Sequence, residues 1–119
     1  MGAYEPKFLY VDQVTATASA AVTGGRLLAV SGNGTVQTAG AGSAAVVGVA
    51  AHDAASGSRV SYFPRGKIHV SPASGAITAA ARVDSGAGGT VASGTAGVNN
   101  IGIALTTAAD GVDVEWMEI

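Results

Sequence analysis

Short runs in which β-branched residues alternate with small ones recur along the chain, and glycines separate these runs. This pattern is typical of short β-strands, because successive side chains of a strand point to opposite faces of a sheet. A strand is also expected at 67–70, a turn at 72–75, and the Ala-rich stretch 76–81 permits a helical turn. The other predicted strands lie at 27–31, 35–38, 46–51, 59–63, 82–84, 90–92, 101–105 and 112–117.

The dipeptide Asn33-Gly34 lies between two of these runs. A two-residue type I′ turn requires a positive φ at both central residues, and Asn-Gly is a strong sequence indicator of it. Gly88-Gly89 can serve the same turn later in the chain. The sequence therefore predicts two hairpins of this kind within an all-β fold.

The second half of the chain repeats the pattern of the first half. The sequence VGVA that begins at Val47 returns as IGIA from Ile101, a shift of 101 − 47 = 54 residues, and Tyr62 matches Trp116 at the same shift. The pseudo-repeats span about 26–63 and 82–117 within a β domain of residues 16–119. We therefore expect a small, compact domain, barrel-like or sandwich-like, built from a pseudo-duplicated β unit.

Residues 1–15 differ in kind from the repeats. They are interpreted either as an extended N-terminal arm that reaches a partner or as an edge strand that closes the sheet. Aromatic side chains are common anchors of protein interfaces, and this segment is rich in them. The candidate partner-binding residues of the arm are Tyr4, Glu5, Lys7, Phe8, Tyr10 and Asp12.

Composition narrows the range of functions. The chain has 119 residues, of which 48% are hydrophobic but only 5% aromatic, and charged residues make up 12% with a net charge of −2. Six scattered Lys and Arg residues do not form the basic stripe that nucleic acid requires, so no nucleic acid partner is expected. No run is long enough to cross a membrane and no secretory leader is apparent, so we expect synthesis in the cytoplasm and no membrane partner.

Catalytic and metal-binding motifs are weak or missing. No serine lies in a G-x-S-x-G elbow, and His52 and His69 lack the spaced partners of a zinc site. We therefore expect no enzyme activity, no metal and no cofactor. Acidic residues cluster near the carboxyl end, and the period of two predicts a half-buried final strand with Val112, Val114 and Trp116 inward. The carboxylates of that cluster are expected outward: Asp110, Asp113, Glu115 and Glu118.

Basic residues could complement such an acidic surface. The Pro64-Arg65-Gly66 corner between two predicted strands is expected to expose Arg65, with Lys67 beside it. Arg65, Lys67 and Trp116 are therefore candidate interface residues.

The ordered glycines and valines of the repeats resemble the bacteriophage capsid decoration or cement proteins, a family formerly described as a domain of unknown function. The likeness covers roughly 23–116 and rests on ordinary residues in a fixed order rather than on catalytic groups. The residues that carry it are Gly34-Thr35-Val36, the run 46–51, Ser56-Gly57, Val60-Ser61-Tyr62, the run 101–105 and the run 108–111.

This resemblance implies a structural protein that binds the outer surface of the expanded capsid and stabilises it, as lambda-type head decoration proteins do. It implies contact with the major capsid protein, a homotrimer and a place on the outside of the virion. A carbohydrate- or cell-surface-binding β module on the virion is the alternative. An exposed Trp116 would favour that alternative, because sugar sites stack aromatic rings against the sugar, and a buried Trp116 would count against it.

Overall fold

The computed structural model describes residues 12–94 and 98–119. These residues form ten β-strands and one short 3-10 turn at Ala87–Gly89. The strands are β1 (Val14–Ala18), β2 (Leu27–Gly32), β3 (Thr35–Thr38), β4 (Val46–Ala50), β5 (Arg59–Pro64), β6 (Ile68–Ser74), β7 (Arg82–Ser85), β8 (Val91–Ser93), β9 (Gly102–Ala104) and β10 (Asp113–Glu118).

The ten strands form two closed barrels of five strands each. The order around the first barrel is β1-β3-β2-β4-β5, and the order around the second is β6-β8-β7-β9-β10. Each barrel has one parallel pair, β1 with β3 and β6 with β8, and its other neighbours are antiparallel. The two barrels share one topology, which confirms the prediction of an all-β fold built from a duplicated unit. β1 and β6 also belong to that unit.

Small side chains fill the first barrel, which closes with only five strands. Its interior contains alanine, valine and one leucine. A Cβ added at Gly48 would collide with the carbonyl oxygen of Phe63 on β5, and one added at Gly102 would collide with that of Met117 on β10. The close approach of these strand pairs therefore explains the glycine in both repeated tetrapeptides. The interior residues of the first barrel are Ala18, Val22, Leu28, Val36, Ala50 and Val60.

The two barrels share a second apolar core. Leu28 points into the first barrel, whereas its neighbour Leu27 packs in the same cluster as Val83 and Trp116 of the second barrel. Hydrogen bonds accompany this contact: Ser85 Oγ donates to Gly40 O at 2.7 Å, and Gly89 N donates to Ala39 O at 3.0 Å. β2 is therefore buried on both faces, and the two barrels pack as one body.

Two local predictions were wrong in detail. Pro72 lies inside β6 rather than in a turn. The strand tolerates this proline because the pairing of β6 with β8 begins only at Ala73, and the missing N–H of Pro72 therefore removes no hydrogen bond of that pair. The stretch 76–81 is not helical. Ile77, 1% exposed, instead bonds to Ala108 in both directions, so burial and long-range pairing override the helical preference of alanine.

The predicted hairpin between β2 and β3 is confirmed, but its turn type is not I′. Gly34 has φ 72°, whereas Asn33 is not among the described residues with positive φ. A β-bulge between Val30 and Gly32 accommodates the different turn. Gly88 and Gly89 both have positive φ, 66° and 74°, as the prediction requires. They do not form a two-residue turn, however, because they lie in the 3-10 turn Ala87–Gly89 within the longer connection from Ser85 to Val91.

Candidate functional site

The segment that joins the two barrels forms a polar cluster with the carboxyl end of the chain. Arg65 lies between β5 and β6, and its Nε donates to Ile119 O at 2.8 Å while its NH2 group donates to Asn100 O at 3.4 Å. The same Nε lies 4.0 Å from Glu118 Oε2. Arg65 thus holds the link between the barrels against the carboxyl end of the second barrel. We call Asp12, Arg65, Lys67, His69 and Glu118 the linker cluster.

Glu118 points inward, which corrects the prediction that all carboxylates of the acidic cluster point outward. β10 alternates strictly, with Asp113, Glu115 and Met117 exposed and Glu118 only 2% exposed. The period of two that buries Trp116 therefore buries Glu118 as well. Val112 is the reverse case, because it precedes the strand and is 53% exposed rather than inward.

The buried Glu118 carboxylate faces two basic side chains. Its Oε1 lies 3.3 Å from His69 Nε2, and its Oε2 faces Arg65. Neither oxygen has a hydrogen bond of good geometry, so the contact of Oε2 with the Arg65 guanidinium is a long ion pair. The backbone fixes this arrangement, since Glu118 N donates to Lys67 O at 2.8 Å.

Trp116 lies inside the second barrel with no exposed surface. Its Nε1 donates to Ser71 Oγ at 2.9 Å, and its ring is tilted against His69 with 5.5 Å between centroids. In the folded chain it therefore has no free face for stacking on a sugar or for contacting a partner. Its counterpart in the first barrel, Tyr62, is partly buried, and that burial raises the pKa of its phenol above 10.0.

Only part of the predicted partner-binding surface lies within the described residues. Asp12 is exposed, and its Oδ1 lies 3.9 Å from Lys67 Nζ. The structure thus brings Asp12, Lys67 and Arg65 together at the linker, where the amino-terminal segment joins the first barrel. The other predicted arm residues lie outside the described part of the chain: Tyr4, Glu5, Lys7, Phe8 and Tyr10.

The histidines serve the fold in two different places. His52 receives a hydrogen bond from Ser61 N at Nε2, 3.2 Å away, and its Nδ1 lies 2.8 Å from Asp53 O. His69 belongs to the linker cluster of the second barrel. Within 12–94 and 98–119, no three His, Asp or Glu side chains are grouped to hold a metal ion, and no pocket is found. No helix in the same ranges is long and apolar enough to cross a membrane.

Sequence reasoning missed one surface. Ile68, Val70 and Met117 are exposed on the outer face of the second barrel, at 60%, 62% and 38%. The alternation in residues 68–70 and 113–118 indicates which side chains point outward from each strand. It does not indicate the strand register, which pairs Met117 with Ile68 and Glu115 with Val70.

A solved phage structure shares this fold. The crystal structure of the head fiber gp8.5 N base of bacteriophage phi29 superimposes with a TM-score of 0.70 and 23% sequence identity, covering 90% of this chain and 92% of that one. At that identity the likeness establishes the fold alone. A comparison with curated proteins finds no match. The family model of the phage cement proteins matches residues 9–118, nearly the whole chain. The chain therefore belongs to the phage cement protein family.

Proposed function

We propose that this protein binds the outer surface of the expanded phage capsid and stabilises it, as a homotrimer whose partner is the major capsid protein. The observation that carries the proposal is membership of the phage cement family over residues 9–118. The likeness to a phage head fiber base agrees with it at the level of fold. In this proposal the protein is a structural component of the virion.

The contact surface we propose is the amino-terminal arm together with the exposed part of the linker cluster. The proximity of Asp12 to Lys67 supports this choice, since Asp12 is a predicted residue of the arm and Lys67 a predicted interface residue of the linker. Arg65 is already engaged with backbone carbonyls, so a shell contact would add to an ordered side chain and lose little entropy on binding. Lys67, with 37% of its side chain exposed, is the freer cation.

Stabilisation of the shell follows from mass action. A ligand that binds only the expanded shell lowers its free energy by RT ln(1 + [L]/Kd). A trimer that contacts several capsid subunits at once multiplies this effect through the high local concentration of its second and third contacts. The proposal requires no catalytic step, no cofactor, no nucleic acid and no membrane.

The alternative of a carbohydrate-binding module is disfavoured by Trp116. That side chain was the strongest candidate for stacking on a sugar, and it is 0% exposed. Tyr62 and Phe63 are each partly buried in the first barrel. No described feature specifically favours glycan binding, so capsid binding is the function we propose.

The test is co-sedimentation with expanded heads assembled without the protein. We expect saturable binding at a stoichiometry fixed by the lattice, near three copies per local threefold site if trimers bind there, and sedimentation of the free protein as a trimer. Protein that stays in the supernatant at micromolar concentration while the heads pellet would contradict the proposal.

Two variants locate the contact. Deletion of residues 1–11 should leave the fold intact and weaken head binding at least about tenfold, because anchor residues of interfaces commonly contribute more than 1.4 kcal/mol. Lys67→Ala should weaken binding as well, whereas Arg59→Ala removes an equal exposed charge from a site away from the linker and should not. Equal effects of the two substitutions would mean that net charge rather than the linker surface matters.

A further inference from the structure

The second barrel has an apolar face that is exposed to water, which is unfavourable for a barrel that contacts nothing else. Met117 pairs with Ile68 on one side and with the partly buried Ile103 on the other, so the three residues lie side by side across three strands. Val70 extends the face along β6, and Leu105, 42% exposed, extends it beyond β9. We call these five residues the apolar face.

The first barrel provides an internal control for this observation. Ala18 pairs with Val36 and Ala73 pairs with Val91, so β1 and β6 correspond at a shift of 73 − 18 = 55 residues. The positions of Ile68 and Val70 are therefore held by Gln13 and Thr15 in the first barrel.

Gln13 and Thr15 are polar, and Thr15 Oγ1 lies 3.3 Å from Ser61 Oγ, so the outer side of β1 is hydrogen-bonded. The counterparts of Ile103 and Met117, at the shift of 54 residues, are Val49, which is buried, and Phe63, which is partly buried. The second barrel thus exposes apolar side chains where the first barrel has polar or covered ones, which marks this face as a contact site.

The amino-terminal segment starts beside this face. Asp12 lies 3.9 Å from Lys67, and Lys67 directly precedes Ile68, the first residue of the apolar face. Asp12 is almost fully exposed, so this ion pair marks a position and adds little energy. Residues 1–11 can span about 36 Å when extended, at roughly 3.3 Å per residue. That reach exceeds the length of β6, about 23 Å by the same rise.

The composition of the segment matches the apolar face. Residues 8–11 read Phe-Leu-Tyr-Val, and the face offers aliphatic side chains and the Met117 thioether, which packs well against aromatic rings. Glu115 lies opposite Val70 on the neighbouring strand, and the segment carries both Lys7 and Glu5, so charge does not select this contact. A segment tethered within a few residues of the face experiences an effective concentration in the millimolar range, which favours its own chain over a separate, unassociated molecule.

We propose that residues 8–11 pack against the apolar face of the same chain in the free protein. This goes beyond capsid binding, because it assigns the arm a resting position on the second barrel. An arm held there covers apolar surface that would otherwise promote aggregation of free trimers before they reach a shell.

The absence of cysteine from the chain makes the test direct. The double variant Leu9→Cys/Val70→Cys, which keeps Phe8 and Tyr10, is treated with a short bis-maleimide at low micromolar concentration. The control Leu9→Cys/Gln37→Cys places the second thiol on an exposed position of β3 in the first barrel. We expect the intrachain cross-link of the first variant to form at least about tenfold faster, as a raised local concentration requires.

Two results would overturn the proposal. Equal rates for both pairs would show that the arm does not rest on this face. Cross-links mainly between chains would show that the arm of another copy covers it. Further substitutions in the first variant separate packing from simple proximity to the tether. One set adds Phe8→Ser and Tyr10→Ser. The other adds Ile68→Gln, which introduces the residue type found at the equivalent position of the first barrel. Each addition should lower the rate toward the control, and an unchanged rate would refute packing. No capsid is present, so these results are independent of the head-binding test.

Discussion

Replacing Ala80 by glycine should stabilise the protein, because Ala80 has a backbone conformation that favours glycine. In the first barrel, Arg26 N donates to Thr23 O at 3.2 Å across a turn whose third residue is Gly25, with φ 83°. The second barrel repeats this turn from Thr78, and Ala80 occupies the third position with φ 74°. Gly25 N also donates to Ala50 O at the end of β4, and Ala80 N donates to Ala104 O at the end of β9, both at 2.8 Å.

The magnitude follows from two opposing terms. A side chain with a Cβ costs about 1–2 kcal/mol in the left-handed region. Glycine costs roughly 0.5–1 kcal/mol through its larger freedom in the unfolded chain. The net expected stabilisation of Ala80→Gly is about 0.5–1 kcal/mol, or an increase in Tm of roughly 2–5 °C for a chain of this length.

Urea unfolding and calorimetry measure this effect, with two substitutions as controls. Ala79→Gly, one residue earlier and without positive φ, should instead destabilise by about 0.5–1 kcal/mol. Gly25→Ala should destabilise by about 0.5–1 kcal/mol through strain alone, because an added Cβ there meets no atom within 4 Å. A loss of stability in Ala80→Gly equal to that in Ala79→Gly would refute the strain argument.

Three other predictions concern packing and ionisation. Gly102→Ala and Gly48→Ala should each destabilise by about 1–3 kcal/mol, since the added methyl group collides with a strand carbonyl; unfolding midpoints near that of the native protein would contradict this. Ser71→Ala should cost about 1–3 kcal/mol by leaving the buried Trp116 N–H unpaired, measured by urea unfolding with tryptophan fluorescence. Burial raises the pKa of Tyr62, so the unfolded chain ionises first and stability should fall as the pH rises above 10.0.

Each of these predictions has a matched control. Gly40→Ala adds the same methyl group where no atom lies within 4 Å and φ is not positive, so it should be close to neutral. Ser74→Ala removes an exposed hydroxyl rather than the partner of Trp116. Tyr62→Phe should reduce the loss of stability in alkaline solution, and an unchanged pH profile would show that other groups cause it.

Local patterns predicted the elements of the fold well. The alternation in 59–63 and 112–117 and the repeated VGVA and IGIA tetrapeptides were sufficient to place strands and to recognise the duplication. Each of these features depends on residues close in sequence. The topology of two separate barrels did not follow, because closure depends on β1 pairing with β5 and β6 with β10, contacts between segments far apart in the chain.

The candidate site was less predictable for a similar reason. Leu27 and Leu28 are consecutive and both 0% exposed, and only the contact between barrels explains burial on two faces of one strand. Glu118 was misplaced because its chemistry was given more weight than the period of its strand. The apolar face depends on strand register, which no single run of residues specifies. By contrast, the corner at Pro64-Arg65-Gly66 was found correctly from turn residues alone.

The shared core between the barrels has a consequence for synthesis on the ribosome. The first barrel can close once β5 has emerged, yet Leu27 and Val49 on its outer face pack in a core completed by the second barrel. Translation from Pro64 to Glu118 adds 118 − 64 = 54 residues, which takes about 3–11 s at bacterial rates of roughly 5–20 residues per second. During that interval the nascent chain carries an uncovered apolar surface. A translational pause between β5 and β10 would prolong this state, in which the chain is most prone to aggregate and most accessible to chaperones.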